Sequence, residues 1–178
     1  MRRSVHLALW LVLVARLPAT AAELLDLGLL IKDKKISVSF RMTEAFNEDI
    51  EKTITSGLPV SFRYEVQLKK VRAIWLNQKV DTRRITNTVT YDNITKRYTL
   101  SRDIDGAIVA TVVIADLKDM VEFMTVIDDL GLFEVSSLEP NADYYLRVKG
   151  LVKERNLFLF VPWDQDSGWE KVYFTYLP

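Results

Sequence analysis

From Val60 onward the chain alternates in period two: Phe62, Tyr64, Val66 and Leu68 fall on one face, Arg63, Glu65, Gln67 and Lys69 on the other. An extended strand with one buried face satisfies that pattern, because successive side chains of a strand point to opposite sides. After Leu68 the phase slips by one, and Val71, Ala73 and Trp75 become the apolar set. A slip of one residue is what a β-bulge produces. The pattern therefore predicts one strand from about 60 to 80, bulged near Lys69 and Lys70. A strand of that length must bend or change sheets, which suits a sandwich or a barrel-like fold.

The same alternation recurs along the chain. Leu24 to Ile31, the turn Asp33-Lys34-Lys35 and the alternating Ile36, Val38, Phe40 and Met42 read as a hairpin. Ile85, Val89 and Tyr91 alternate with threonines, Asp92-Asn93 is turn chemistry, and Tyr98 and Leu100 begin the return strand. Asp105-Gly106 is a second hairpin signal before Ile108 to Ile114. Tyr144, Leu146 and Val148 alternate again, followed by the apolar run Leu157 to Val161 and an aromatic strand from Val172 to Leu177. Two segments break the period. Asn47 can cap a short helix over 47–56, with Ile50 and Ile54 inward and Gly57 as its stop. Asp116 to Leu130 places Leu117, Met120, Val121, Met124 and Ile127 on one helical face, with Gly131 in the C′ position. Strands arriving as consecutive hairpins give an antiparallel sheet. The fold class is mainly β: an antiparallel sandwich, immunoglobulin-like or similar, with one or two packed α-helices.

The N-terminus reads as a secretory leader over residues 1–21, with one domain over 22–178. Arg2 and Arg3 form a positive start, Val5 to Ala15 is apolar, Pro18 breaks the helix, and Ala19-Thr20-Ala21 suits cleavage after Ala21 or Ala22. A retained span needs about 20 apolar residues, and Arg16 and Pro18 cut this one short. The expected location is therefore periplasmic or secreted, with membrane contact only through the uncleaved leader. Removing residues 1–21 deletes three arginines and no acid. The 24 bases against 24 acids of the full chain then become 21 against 24, a net charge of −3. It also removes His6, the single histidine of a chain that has no cysteine. Thiol nucleophiles, thiolate metal sites, Ser-His-Asp hydrolysis and histidine-ligated metals all require those residues. The expectation is a non-enzymatic protein with no cofactor and no metal. A net-acidic exported chain also gives no electrostatic case for nucleic acid.

Several local motifs carry a resemblance. Phe40-Arg41-Met42, Glu44-Ala45-Phe46 and the run Ser56-Gly57-Leu58-Pro59-Val60-Ser61-Phe62-Arg63-Tyr64-Glu65-Val66 resemble the bacterial exported family called domain of unknown function 4390. Trp75, Tyr91-Asp92 and Lys96-Arg97-Tyr98 fit it as well. The resemblance covers nearly all of the chain beyond the leader. It implies a signal peptide, a bacterial envelope location and a single domain. The family carries no assigned activity, so the resemblance supplies no catalytic residues.

The candidate interaction residues are basic and aromatic. Lys69, Lys70 and Arg72, then Arg83 and Arg84, then Lys96 and Arg97 fall on successive hairpins and would form one patch if these pair in order. A solvated outer face that discourages edge pairing is the plainer reading. Trp163 and Trp169 flank the loop Asp164 to Gly168, with Tyr173 and Tyr176 close by; they either anchor an interface or plug the end of the sandwich. That loop lacks the glycine register of a calcium site and reads as an acidic turn. Asn93-Ile94-Thr95 reads as a turn. Asp119, Glu122 and Asp129 form an acidic helix face. The leading expectation is a protein-interaction module whose partner is an envelope or membrane-bound protein. One alternative is a periplasmic carrier of a lipid or other apolar molecule, motivated by Phe123 and Val126 widening the apolar face of the second helix. A second is a carboxylate-based glycan hydrolase, which histidine-free chemistry permits.

Overall fold

The computed structural model describes residues 22–72, 77–154 and 165–177. Strands β1 (Glu23–Lys32) and β2 (Lys35–Thr43) form the first hairpin. Its two turn residues, Asp33 and Lys34, have φ of 51° and 64°, the left-handed pair that a tight hairpin demands. Helix α1 (Glu48–Thr55) starts where Asn47 accepts a hydrogen bond from the Ile50 amide at 3.0 Å. It ends at Gly57, whose φ of 85° suits a residue without a Cβ.

Strand β3 (Val60–Lys70) is the centre of the molecule; Val60, Phe62, Tyr64, Val66 and Leu68 are all fully buried. The strand expected to run to residue 80 stops at Lys70, and the chain doubles back as β4 (Gln78–Asp92), antiparallel to β3. The loss of phase after Leu68 marks a strand end, beyond which the Arg72 amide donates to the Asn77 side chain. There is a bulge at this level, yet it lies on β4. Leu68 pairs with Asp81 and Lys69 with Lys79, leaving Val80 unmatched, while the pairing of β3 with its other neighbour is unbroken.

After β4 come β5 (Arg97–Ile104), β6 (Ala107–Ile114), α2 (Leu117–Thr125), β7 (Val126–Glu134), β8 (Ala142–Glu154), the two-residue β9 (Gln165–Asp166) and β10 (Glu170–Tyr176). All pairings are antiparallel. They build two sheets, β1-β2-β7 and β10-β8-β3-β4-β5-β6, with β9 joined to β8 beyond the end of β10. The small sheet, α1 and α2 lie against one face of the large sheet. Phe40 of β2 and Tyr64 of β3 meet edge to face with centroids 5.0 Å apart. Met42 reaches so close to Gly150 of β8 that a Cβ there would lie 2.9 Å from its Sδ. The protein is thus mainly β, two antiparallel sheets with two helices, as the alternation predicts.

The second helix is shorter than its pattern suggests. It begins as expected, with Asp116 accepting from the amides of Lys118 and Asp119. It stops at Thr125 instead of Leu130, and residues 126–134, including Gly131, become β7 on the free side of β2. The large sheet takes up its last carbonyls. Tyr64 Oη donates to the Met124 carbonyl at 2.7 Å, and Asn87 Nδ2 donates to those of Phe123 and Met124. Arg102 donates to the Phe123 and Val126 carbonyls and, through Nε, to Asn87 Oδ1. Ile127 fits a helical face by spacing, yet it lies in β7 opposite Phe40 and is buried there.

Candidate protein-interaction face

Because the small sheet and both helices cover one face of the large sheet, the outward side chains of its strands share the other. Residues directly opposite one another in a ladder point to the same side, so the registers define this face. Arg63, Glu65, Gln67 and Lys69 of β3 stand beside Leu151, Lys149, Arg147 and Tyr145 of β8. On the other side they stand beside Thr86, Arg84, Thr82 and Lys79 of β4. Lys171 and Tyr173 of β10 extend the row beyond Arg147 and Tyr145. The result is a field of arginines and lysines with Glu65 at its centre, Asp143 at one margin and Asp103, beside Thr86, at the other.

Short contacts order this face. Arg147 donates through Nε and Nη2 to Gln67 Oε1 at 2.9 and 2.7 Å, and Gln67 Nε2 donates to Glu65 at 2.5 Å. The Arg147 guanidinium lies 4.0 Å from the centroid of the Trp169 ring. Tyr145 and Tyr173 pack with centroids 5.4 Å apart, and Tyr173 remains 66% exposed. Planar arginine stacked on an aromatic, beside an exposed tyrosine, is a composition enriched at protein interfaces. Such ordering also lowers the side-chain entropy lost on docking.

The residues expected to form one basic patch are divided by the fold. Lys69 and Arg84 lie on the bare face, one pairing with Lys79 and Tyr145, the other with Glu65. Lys70 points to the opposite side and binds Glu139 at 2.5 Å, holding that carboxyl below its ordinary value through the hydrogen bond and then the charge. Arg72 reaches Gln78 in the β3–β4 turn. Arg83, one residue out of phase with Arg84, pairs with Asp81 and Asp105, each at 3.1 Å. The Asp105 hydrogen bond and the Asp81 charge raise its pKa against the lowering effect of burial. Lys96 and Arg97 sit at the β4–β5 turn, several residues up the ladder from Arg84. Trp169 is on the bare face, whereas Trp163, Trp75, Ala21 and the apolar run Leu157 to Val161 fall outside the described residues. Tyr176 packs inward against the core.

The other motifs also resolve into positions. Asp119 and Glu122 stay on α2, while Asp129 lies in β7 with its amide bound by Ser39 Oγ. In the loop before β10, the Ser167 amide donates to the Gly150 carbonyl and its Oγ accepts from the Gly150 amide. Among the described residues no cluster of His, Cys, Asp and Glu is placed to hold a metal ion. Phe123, one source of the second helix's apolar width, packs under the Arg102 guanidinium at 4.7 Å.

The period-two pattern already placed Arg63 and Lys69 on one side of their strand, and Arg147 and Lys149 on one side of theirs. What joins them is the pairing of β3 with β8, strands far apart in the chain, and no local signal carries that. Comparison with curated proteins and with solved structures finds no match. The family model described as Domain of unknown function (DUF4390) matches residues 19–172.

Proposed function

The chain belongs to the DUF4390 family, and from that premise we propose that it is a non-enzymatic interaction module of the bacterial envelope, exported by its leader, whose bare sheet face docks an acidic surface of an envelope or membrane-bound protein. The observation that carries the reading is a basic excess on the bare face. Arg63, Lys69, Lys79, Arg84, Arg147, Lys149 and Lys171 share it with the acids Glu65, Asp103 and Asp143. Complementary charge steers encounter and suppresses wrong partners more than it adds affinity. The stacked Trp169, Tyr145 and Tyr173 supply the rigid apolar anchors that such a contact needs.

The test is site-specific photo-crosslinking in living cells. A photoreactive residue at Tyr173 should capture one dominant envelope protein, and the same probe at Ile94, 92% exposed in the β4–β5 turn, should not. Lys79→Glu combined with Lys171→Glu, both exposed positions, should abolish capture while moving the unfolding free energy by no more than about 0.5 kcal/mol each. Capture that survives this double charge reversal overturns the reading. So does a protein that captures nothing from Tyr173 yet binds anionic vesicles through the same face.

A further inference from the structure

The large sheet ends on β6, and that edge is unlike a protected one. Among the described residues β6 is hydrogen-bonded on one side only, to β5. Its sequence, Ala107 to Ile114, holds no charge. Ile108, Val109, Val112 and Val113 are 71, 51, 42 and 53% exposed. Soluble proteins usually blunt such edges with lysine, proline or a covering segment, because an open row of amides and carbonyls templates another strand. Among the described residues the protection is a bulge: Arg102 pairs with Ala110 and Asp103 with Ile108, leaving Val109 unmatched.

The sequence of this edge is self-complementary. From Ala107 to Ala115 it reads Ala-Ile-Val-Ala-Thr-Val-Val-Ile-Ala, and read backwards it differs only by the exchange of Ala110 and Val112. Two antiparallel copies related by a two-fold axis through Thr111 would set Ile108 against Ile114, Val109 against Val113 and Thr111 against Thr111. Matched β-branched pairs and Thr–Thr pairs are favoured cross-strand neighbours, and a two-fold contact is the commonest way for a chain to meet its own copy. We propose that β6 pairs with β6 of a second copy of this chain, joining two large sheets into one across a two-fold axis at Thr111.

The size of the strip sets the strength. The edge is one strand of 8 residues, about 27 Å long at about 3.4 Å per residue, and a contact confined to it falls short of the roughly 800 Å² per partner of a standard stable complex. The dimer is therefore weak and reversible, with the two backbones supplying much of the contact. The basic positions lie on β10, β8, β3 and β4, with β5 between them and β6, so the two proposals use separate parts of the sheet.

Sedimentation velocity on the exported protein, from about 1 µM to about 1 mM, should show a monomer–dimer equilibrium. Val113→Lys should weaken it at least tenfold with an unchanged melting temperature. Adding Val109→Glu to Val113→Lys places an acid opposite a base in both halves of the axis and should restore dimerisation. A monomer at every concentration overturns the proposal, as does a dimer indifferent to Val113→Lys. A dimer lost in the single variant and not regained in the double overturns the register at Thr111. Recovery of the edge paired with a foreign strand, and never with its own copy, assigns it another occupant and overturns the proposal.

Discussion

Arg102 shows how much one side chain can decide. It crosses from β5 to the end of α2, donating to the Phe123 and Val126 carbonyls and to Asn87, with its guanidinium over the Phe123 ring. The last carbonyls of a helix have no partners within it, and cations near that end also meet the negative pole of the helix dipole. Burial lowers the pKa of Arg102 and raises that of Tyr64, which keeps the tyrosine hydroxyl protonated as a donor to the Met124 carbonyl. Replacing Arg102 with methionine keeps much of its bulk while removing a donor from Asn87 Oδ1 and the Val126 carbonyl; the Phe123 carbonyl keeps Asn87 Nδ2. We expect Arg102→Met to lose about 2–4 kcal/mol in urea unfolding, and Tyr64→Phe about 1–2 kcal/mol. A loss below about 0.5 kcal/mol for Arg102→Met would show that the helix end does not depend on it. None of this was legible in the sequence: Tyr64 stood there as a core aromatic, Arg102 carried no signal of its own, and nothing linked them to the carbonyls of Phe123 and Met124, 21 and 60 residues away from Arg102 and Tyr64 respectively.

At the scale of elements, local signals were legible where local chemistry decides. The Asp33-Lys34 turn, the Asn47 cap, the Gly57 stop, the Asp116 cap and the Asp105-Gly106 hairpin all appear where their residues predict them. The β4–β5 turn is of the same kind. Asp92 Oδ1 accepts the amides of Ile94 at 2.8 Å and Thr95 at 3.2 Å, and these bonds hold its carboxyl below the ordinary value. A lowered pKa in the folded state means the turn's contribution is complete above the ordinary carboxylate pKa and is lost as pH falls through the lowered value. In an NMR titration, Asp92 should therefore protonate later on acidification than a free aspartate, and the Ile94 amide should shift with it. Simultaneous titration with free aspartate would remove the turn bond from the account. Boundaries were misread where distant groups decide: helix spacing continued through Ile127, but strand pairing with Phe40 and the capture of the Phe123 and Met124 carbonyls ended the helix first.

For the whole molecule, the fold class was written in the period-two alternation, but the order of strands was not. The basic clusters seemed contiguous because their hairpins follow one another, yet the face that assembles is built on β8 between β3 and β10. Of its cations only Lys69 and Arg84 stood in those clusters, while Arg63, Arg147 and Lys149 were visible only as the polar side of their strands. The same topology ranks local stability. Strands β3 and β8 each have neighbours on both sides and fully buried inner faces, whereas β6 and β10 are edges. Amide hydrogen exchange should be slowest in β3 and β8 and fastest, among the strands of the large sheet, in β6 and β10. Equal protection across the sheet at low protein concentration would contradict that ranking.

The pairing of β3 with β8 sets Val66 against Val148, so the centre of the large sheet waits for a strand made long after it. Non-local pairing of this kind closes slowly, because the intervening loop must lose its freedom before any ladder bond forms. On the proposed export, the chain enters a translocation channel with its N-terminus first and must remain unfolded to pass. A fold whose middle strand lacks one neighbour until residues 144–154 have been made completes its large sheet late. On that export the strand order would act as a timer, favouring a threadable chain for as long as β8 is absent.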